Sequence, residues 1–121
     1  MTIAANVLVG LVALLHIYFL VLEMFLWTKP TGLRTFSQSL EKAKESAVLA
    51  ANQGLYNGFL AAGLIWGLLH PTVSTGFQIK VFFLLCVIVA GLYGAWSVSR
   101  RILYVQAAPA AVALALVLLA R

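Results

Sequence analysis

Charge is what this sequence has least of. Eight lysines and arginines and three aspartates and glutamates make up 9% of its 121 residues. Soluble chains carry about 25%, and a soluble domain of this length needs a charged shell that so few side chains cannot supply. Cysteine is nearly absent as well. Cys86 stands alone inside an apolar run, so no intramolecular disulfide can form and the redox compartment cannot be read from it. It reads as a small buried hydrophobe. No basic region precedes the first apolar run, and that run is too long for a leader's core, so a cleaved signal peptide is not expected. A phosphate loop, a dinucleotide fingerprint and a nucleophile elbow are all missing. One cluster type is missing too: basic residues interleaved with aromatics. No nucleic-acid partner is expected despite the net charge of +5.

What fills the chain is apolar. Hydrophobic residues make up 64% of it, and a lipid bilayer is the medium that accepts such an excess. Residues 3–27 form one apolar run, long enough to cross a hydrocarbon core of about 30 Å at about 1.5 Å per residue. Trp27 is placed as an interfacial anchor, and Pro30 cannot continue the ladder. Further spans are expected over 47–69, 77–98 and 102–120, divided by His70-Pro71 and by Arg100-Arg101. Pro109 is expected to kink the last of them. Between the first two spans, Leu33, Phe36, Leu40, Ala43 and Ala47 recur at three- and four-residue steps while Arg34, Glu41, Lys42, Lys44 and Glu45 take the other faces. This predicts a short amphipathic helix in the headgroup plane, or a polar extension of the second span.

The fold expected is therefore an all-α membrane protein. Residues 1–121 form a single integral membrane domain, with four transmembrane helices in an up-down-up-down bundle. Lys29, Arg34, Lys42, Lys44, Arg100 and Arg101 share one side, against Lys80 and Arg121 on the other. That bias places the basic loops in the cytoplasm and both termini outside. Gly54 with Gly58, and Gly63 with Gly67, lie four apart, as do Gly91 with Ala95 and Ala90 with Gly94. Such spacing serves close packing within one chain or a seam between copies, so a homo-oligomer is one expectation.

Polar side chains inside apolar runs mark where chemistry could live. His16 falls near the centre of the first span, and Glu23 about 12 Å toward the cytoplasm. On the second span Asn57 falls at the centre, with Asn52 and Gln53 about 8–9 Å to the cytoplasmic side. Tyr93 and Gln106 fall about 8 Å to that same side on the third and fourth. Two polar levels result: His16 with Asn57, and Glu23 with Asn52, Gln53, Tyr93 and Gln106, with Tyr56 between them. Glu23 is the one acidic residue within an apolar run. His16 lies seven residues before it, on nearly the same helix face. One histidine and one carboxylate are too few for a metal site, and nothing in the pattern requires a cofactor. His70, beside Pro71, reads as interfacial.

The segments Leu11-Val12-Ala13-Leu14-Leu15-His16-Ile17-Tyr18-Phe19, Leu22-Glu23-Met24-Phe25-Leu26-Trp27 and Asn52-Gln53-Gly54-Leu55-Tyr56-Asn57-Gly58 resemble a bacterial family of small membrane proteins catalogued as a domain of unknown function, number 1304. The resemblance covers essentially the whole chain. It implies a four-helix protein of the bacterial inner membrane, with His16, Glu23, Asn52, Gln53, Tyr56 and Asn57 in the family pattern. It implies no established activity. Three functions follow as expectations. The first is an intramembrane polar pocket that binds or moves a small hydrophobic or amphipathic molecule, with membrane lipids as the other partners. The second is a membrane enzyme of isomerase or epimerase type using His16 and Glu23 as acid and base. The third is an accessory subunit whose polar layer fixes helix register.

Overall fold

The computed structural model describes residues 1–121 and is all-helical. Its elements are α1 (Thr2–Met24), α2 (Pro30–Thr35), α3 (Leu40–Leu69), α4 (Val73–Ser97) and α5 (Ala108–Leu119), the last led by a π-helical turn, Leu103–Ala107. Two of them, α1 and α4, are long and apolar enough to cross a membrane. The apolar stretch Leu103–Leu119 is shorter. In α3, Asn52, Gln53 and Asn57 interrupt the apolar run, and Glu41, Lys42, Lys44 and Glu45 crowd its first turns.

Several ends depart from the expected boundaries, each for a local reason. The first helix closes at Met24, three residues before Trp27, where the Leu26 N–H reaches back five residues to the Val21 carbonyl. The expected amphipathic helix is broken in two. After α2, Ser37 adopts a left-handed φ of 51°, which a helix cannot continue through. Ser39 then caps a new helix, its Oγ accepting the Lys42 N–H at 3.2 Å. The remaining amphipathic residues become the first turns of α3. Gly32 is forced by packing: a Cβ there would overlap the Leu26 carbonyl. At the other break, the Thr72 N–H donates to His70 Nδ1 at 3.0 Å, and α4 starts four residues earlier than expected, at Val73.

The expected distortion at Pro109 takes the form of the π-helical turn. Pro109 has no N–H to offer the carbonyl four residues back. The turn before it widens instead, and the Ala108 N–H reaches the Leu103 carbonyl.

The chain divides into two compact units. The first comprises Met1–Ala13 and Ala62–Arg121, and the second Leu14–Ala61. The division passes through α1 and α3. In the first unit Ala5, Val9, Val12 and Ala13 form the buried edge of α1, and Ala110, Ala113 and Val117 that of α5. Glycines set the spacing. A Cβ on Gly91 would lie 2.7 Å from the Ala107 backbone nitrogen, and one on Gly67 3.1 Å from that of Lys80. The glycine pattern of α3 and α4 therefore serves packing within one chain.

Candidate functional site

In the second unit one helix face of α3 does most of the packing. Ala43, Ala50, Gly54, Asn57 and Ala61 recur at steps of seven, four, three and four, and all are buried. Small side chains there let α1 approach closely. A Cβ on Gly54 would lie 2.7 Å from Met24 Cγ, 3.1 Å from Glu23 Cβ and 3.2 Å from the Leu20 carbonyl oxygen. One on Gly58 would lie 2.7 Å from Leu20 Cδ1. These two glycines fix the register of α3 against residues 20–24 of α1.

That register brings Asn57 to Glu23. Asn57 Nδ2 donates to Glu23 Oε1 at 2.5 Å. Asn57 is 5% exposed and Glu23 half-buried. The partner is a neutral amide, which has chemical consequences. A lysine or arginine partner would hold a carboxylate in its charged form. An amide offers two N–H donors to a carboxylate and a carbonyl acceptor to a carboxylic acid, so it bonds the group in either protonation state. The pair can therefore exchange a proton without losing its contact.

His16 is fully buried, on the same edge of α1 as Val9 and Val12, and its ring meets Phe19 edge-on at 5.3 Å. It lies two helical turns before Glu23, about 10 Å along the axis. Asn52, Gln53 and Tyr56 face away from the packed edge of α3 and are exposed. Tyr93 and Gln106 belong to the first unit. Tyr93 is exposed and stacks obliquely on Trp96 at 6.0 Å, while Gln106 sits half-buried in the π-helical turn. Of the expected residues, the second unit turns His16, Glu23 and Asn57 inward. The separate levels assigned to Glu23 and Asn57 merge into one. A further contact ties the α1–α2 turn to α3: Trp27 Nε1 donates to Ser46 Oγ at 3.1 Å, and its ring lies 4.8 Å from that of Phe36.

The first unit holds features that sequence reasoning did not single out. Lys80 Nζ donates to Asn6 Oδ1 at 3.1 Å, joining α4 to α1. Both residues line a cavity of about 540 Å³ at the start of α1 and α4 and the end of α5. All of its walls come from the first unit. An asparagine in the opening turns of an apolar helix, and a lysine in the second turn of another, were the available signals.

Comparison with known proteins gives a family and no activity. No solved structure matches the chain significantly. The Uncharacterized protein YpaA of Lactococcus lactis subsp. lactis (strain IL1403) is 34% identical over 116 residues, covering 94% of this chain and 96% of the relative. The model of a family described as a protein of unknown function (DUF1304) matches residues 10–118, and with nearly the whole chain covered, the protein belongs to that family.

Proposed function

We propose that the protein is a multi-pass protein of the bacterial inner membrane in which Glu23, held by Asn57, exchanges a proton against a small amphipathic cation. Support for the membrane comes from the faces turned away from the core. On α1, Ile3, Val7, Leu11, Leu14 and Tyr18 recur at steps of four, four, three and four, and all are exposed. On α4, Phe82, Leu85, Val89, Leu92 and Trp96 do the same at steps of three and four. The apolar windows of these helices are only 28% and 22% buried, whereas the core helix of a soluble protein is mostly buried. Helices apolar all round with so little covered favour lipid over water as their surroundings.

The apolar part of α3 and the stretch Leu103–Leu119 supply the other two of four crossings. Exposed Trp66, Trp96 and Tyr104 lie toward helix ends, where interfacial aromatics belong. Lys29, Arg34, Lys42, Lys44, Arg100 and Arg101 are all exposed, as cytoplasmic headgroup contacts need to be. Both termini then lie outside.

The observation that carries the functional reading is the Asn57–Glu23 hydrogen bond. A carboxyl group within an apolar helix is costly and tends to mark an ion or substrate path. When its proton leaves, a cation is the species that restores neutrality. The test uses proteoliposomes under an imposed pH gradient, with tetraphenylphosphonium as the probe. Wild type should accumulate it, and Glu23→Gln should abolish accumulation while leaving the protein folded. Equal uptake by the two would remove the proposal. An accessory role would instead show as loss of stability in Glu23→Gln with no flux in either protein.

A further inference from the structure

We propose that the cavity of the first unit binds an anionic phospholipid through its headgroup phosphate. At about 540 Å³ it has the size of a small-ligand site, which runs from about 300 to 1,000 Å³. Phe77 and Val117 give it apolar wall, while Asn6, Ser74, Lys80 and Arg121 give it polar atoms. Two cations thus face one cavity. The bond to Asn6 engages one of the three ammonium donors of Lys80. The Arg121 guanidinium lies 5.3 Å from the centre of the Phe77 ring. A cation–π contact engages no N–H hydrogen bond, so the guanidinium donors remain for bidentate contact with a phosphate.

The charged side chains that line the cavity are both cationic. All three acidic residues, Glu23, Glu41 and Glu45, belong to the second unit, so no acidic side chain of the first unit neutralises Lys80 or Arg121. Thr2 and Ser74, at the opening turns of α1 and α4, also line the cavity, adding the positive ends of two long helices. The apolar wall selects a lipid over a free anion, because it can take the first carbons of an acyl chain. The inference rests on the membrane placement proposed above and is independent of proton exchange at Glu23.

Native mass spectrometry of the full chain, released from neutral detergent, tests it with phosphatidylglycerol, phosphatidylcholine and inorganic phosphate as probes. Wild type should retain phosphatidylglycerol in preference to phosphatidylcholine. Lys80→Met and Arg121→Gln should each weaken that retention roughly fivefold. Lys80→Arg should preserve it, and so should Arg100→Gln, which lies outside the cavity. If Lys80→Met fails to fold, Arg121→Gln decides. Equal retention of the two lipids, or full retention in both variants, would overturn the proposal. So would complete displacement by inorganic phosphate, which would make the cavity a free-anion site. Carbonate extraction of the source membranes reads the membrane placement separately. Release of the chain there would sink that reading, whereas loss of lipid selectivity alone would leave it standing.

Discussion

In each unit of the molecule an asparagine is hydrogen-bonded to a charged side chain, and the two pairs are chemical opposites. In the second unit Asn57 donates to the Glu23 carboxylate. In the first, Asn6 accepts from the Lys80 ammonium. The amide uses its N–H end in one case and its carbonyl in the other. The charged partners differ in reach. Lysine has a four-carbon stem and can carry its ammonium to a helix end and water. Glutamate is shorter, and Glu23 is pinned where Gly54 seats α3 on α1. The same residue type therefore anchors a fixed group in one unit and steadies a movable one in the other.

The contrast can be tested from its largest expected consequence down. Packing comes first. Gly91→Val would push a side chain into the Ala107 backbone, which has no rotamer to yield, and should cost about 3 kcal/mol. Gly54→Val meets Met24 Cγ first, a side-chain atom that a change of rotamer can move, and should cost about 2 kcal/mol. Thermal unfolding in detergent micelles measures both, and a reversed order would mean that the second unit is the tighter of the two.

Next come the asparagines. Asn57→Leu leaves a half-buried carboxyl without its donor and should cost about 2 kcal/mol. Asn6→Leu releases a lysine that can move away, so the loss should stay below about 1 kcal/mol. Equal losses would erase the distinction drawn between the pairs. Removing the α3 cap with Ser39→Ala should cost about 1 kcal/mol and show as faster amide exchange over residues 40–45. Smallest in stability is Glu23→Gln. The glutamine amide can keep a hydrogen bond to Asn57, so the change should stay within about 0.5 kcal/mol, although the proton-linked uptake disappears.

Much of the helical pattern was legible in the sequence. His70-Pro71 marked the end of α3 because proline cannot continue a helix, and Arg100-Arg101 marked the break after α4. The inward position of His16 agrees with its place near the centre of the first apolar run, where an exposed polar side chain is costly. The pairing of Glu23 with Asn57 was not legible from depth. Counting residues from the centre of each run assumes that all runs are centred on one plane. But α3 begins at Leu40, well before its apolar part, and hydropathy does not fix how far it slides along α1. Gly54 and Gly58 fix it, through contacts with Leu20, Glu23 and Met24.

The seven-residue step between Ala43 and Ala50, continued through Gly54, Asn57 and Ala61, was the signal that could have shown which amide turns inward. Asn52 and Gln53 stand beside Gly54 in sequence, and both point away from that face. The break at residues 36–39 was hidden for another reason: apolar spacing runs straight through it, and only the left-handed Ser37 and the Ser39 cap interrupt the backbone.

The most direct test of the central claim is infrared difference spectroscopy of the lipid-reconstituted protein across a pH titration. With Glu41 and Glu45 replaced by Gln to remove their own carboxyl bands, a side-chain protonated-carboxyl band should appear, vanish on adding Glu23→Gln, shift in frequency on adding Asn57→Leu and stay in place on adding Asn6→Leu. A band that survives Glu23→Gln, or one that Asn57→Leu leaves unmoved, would contradict the account.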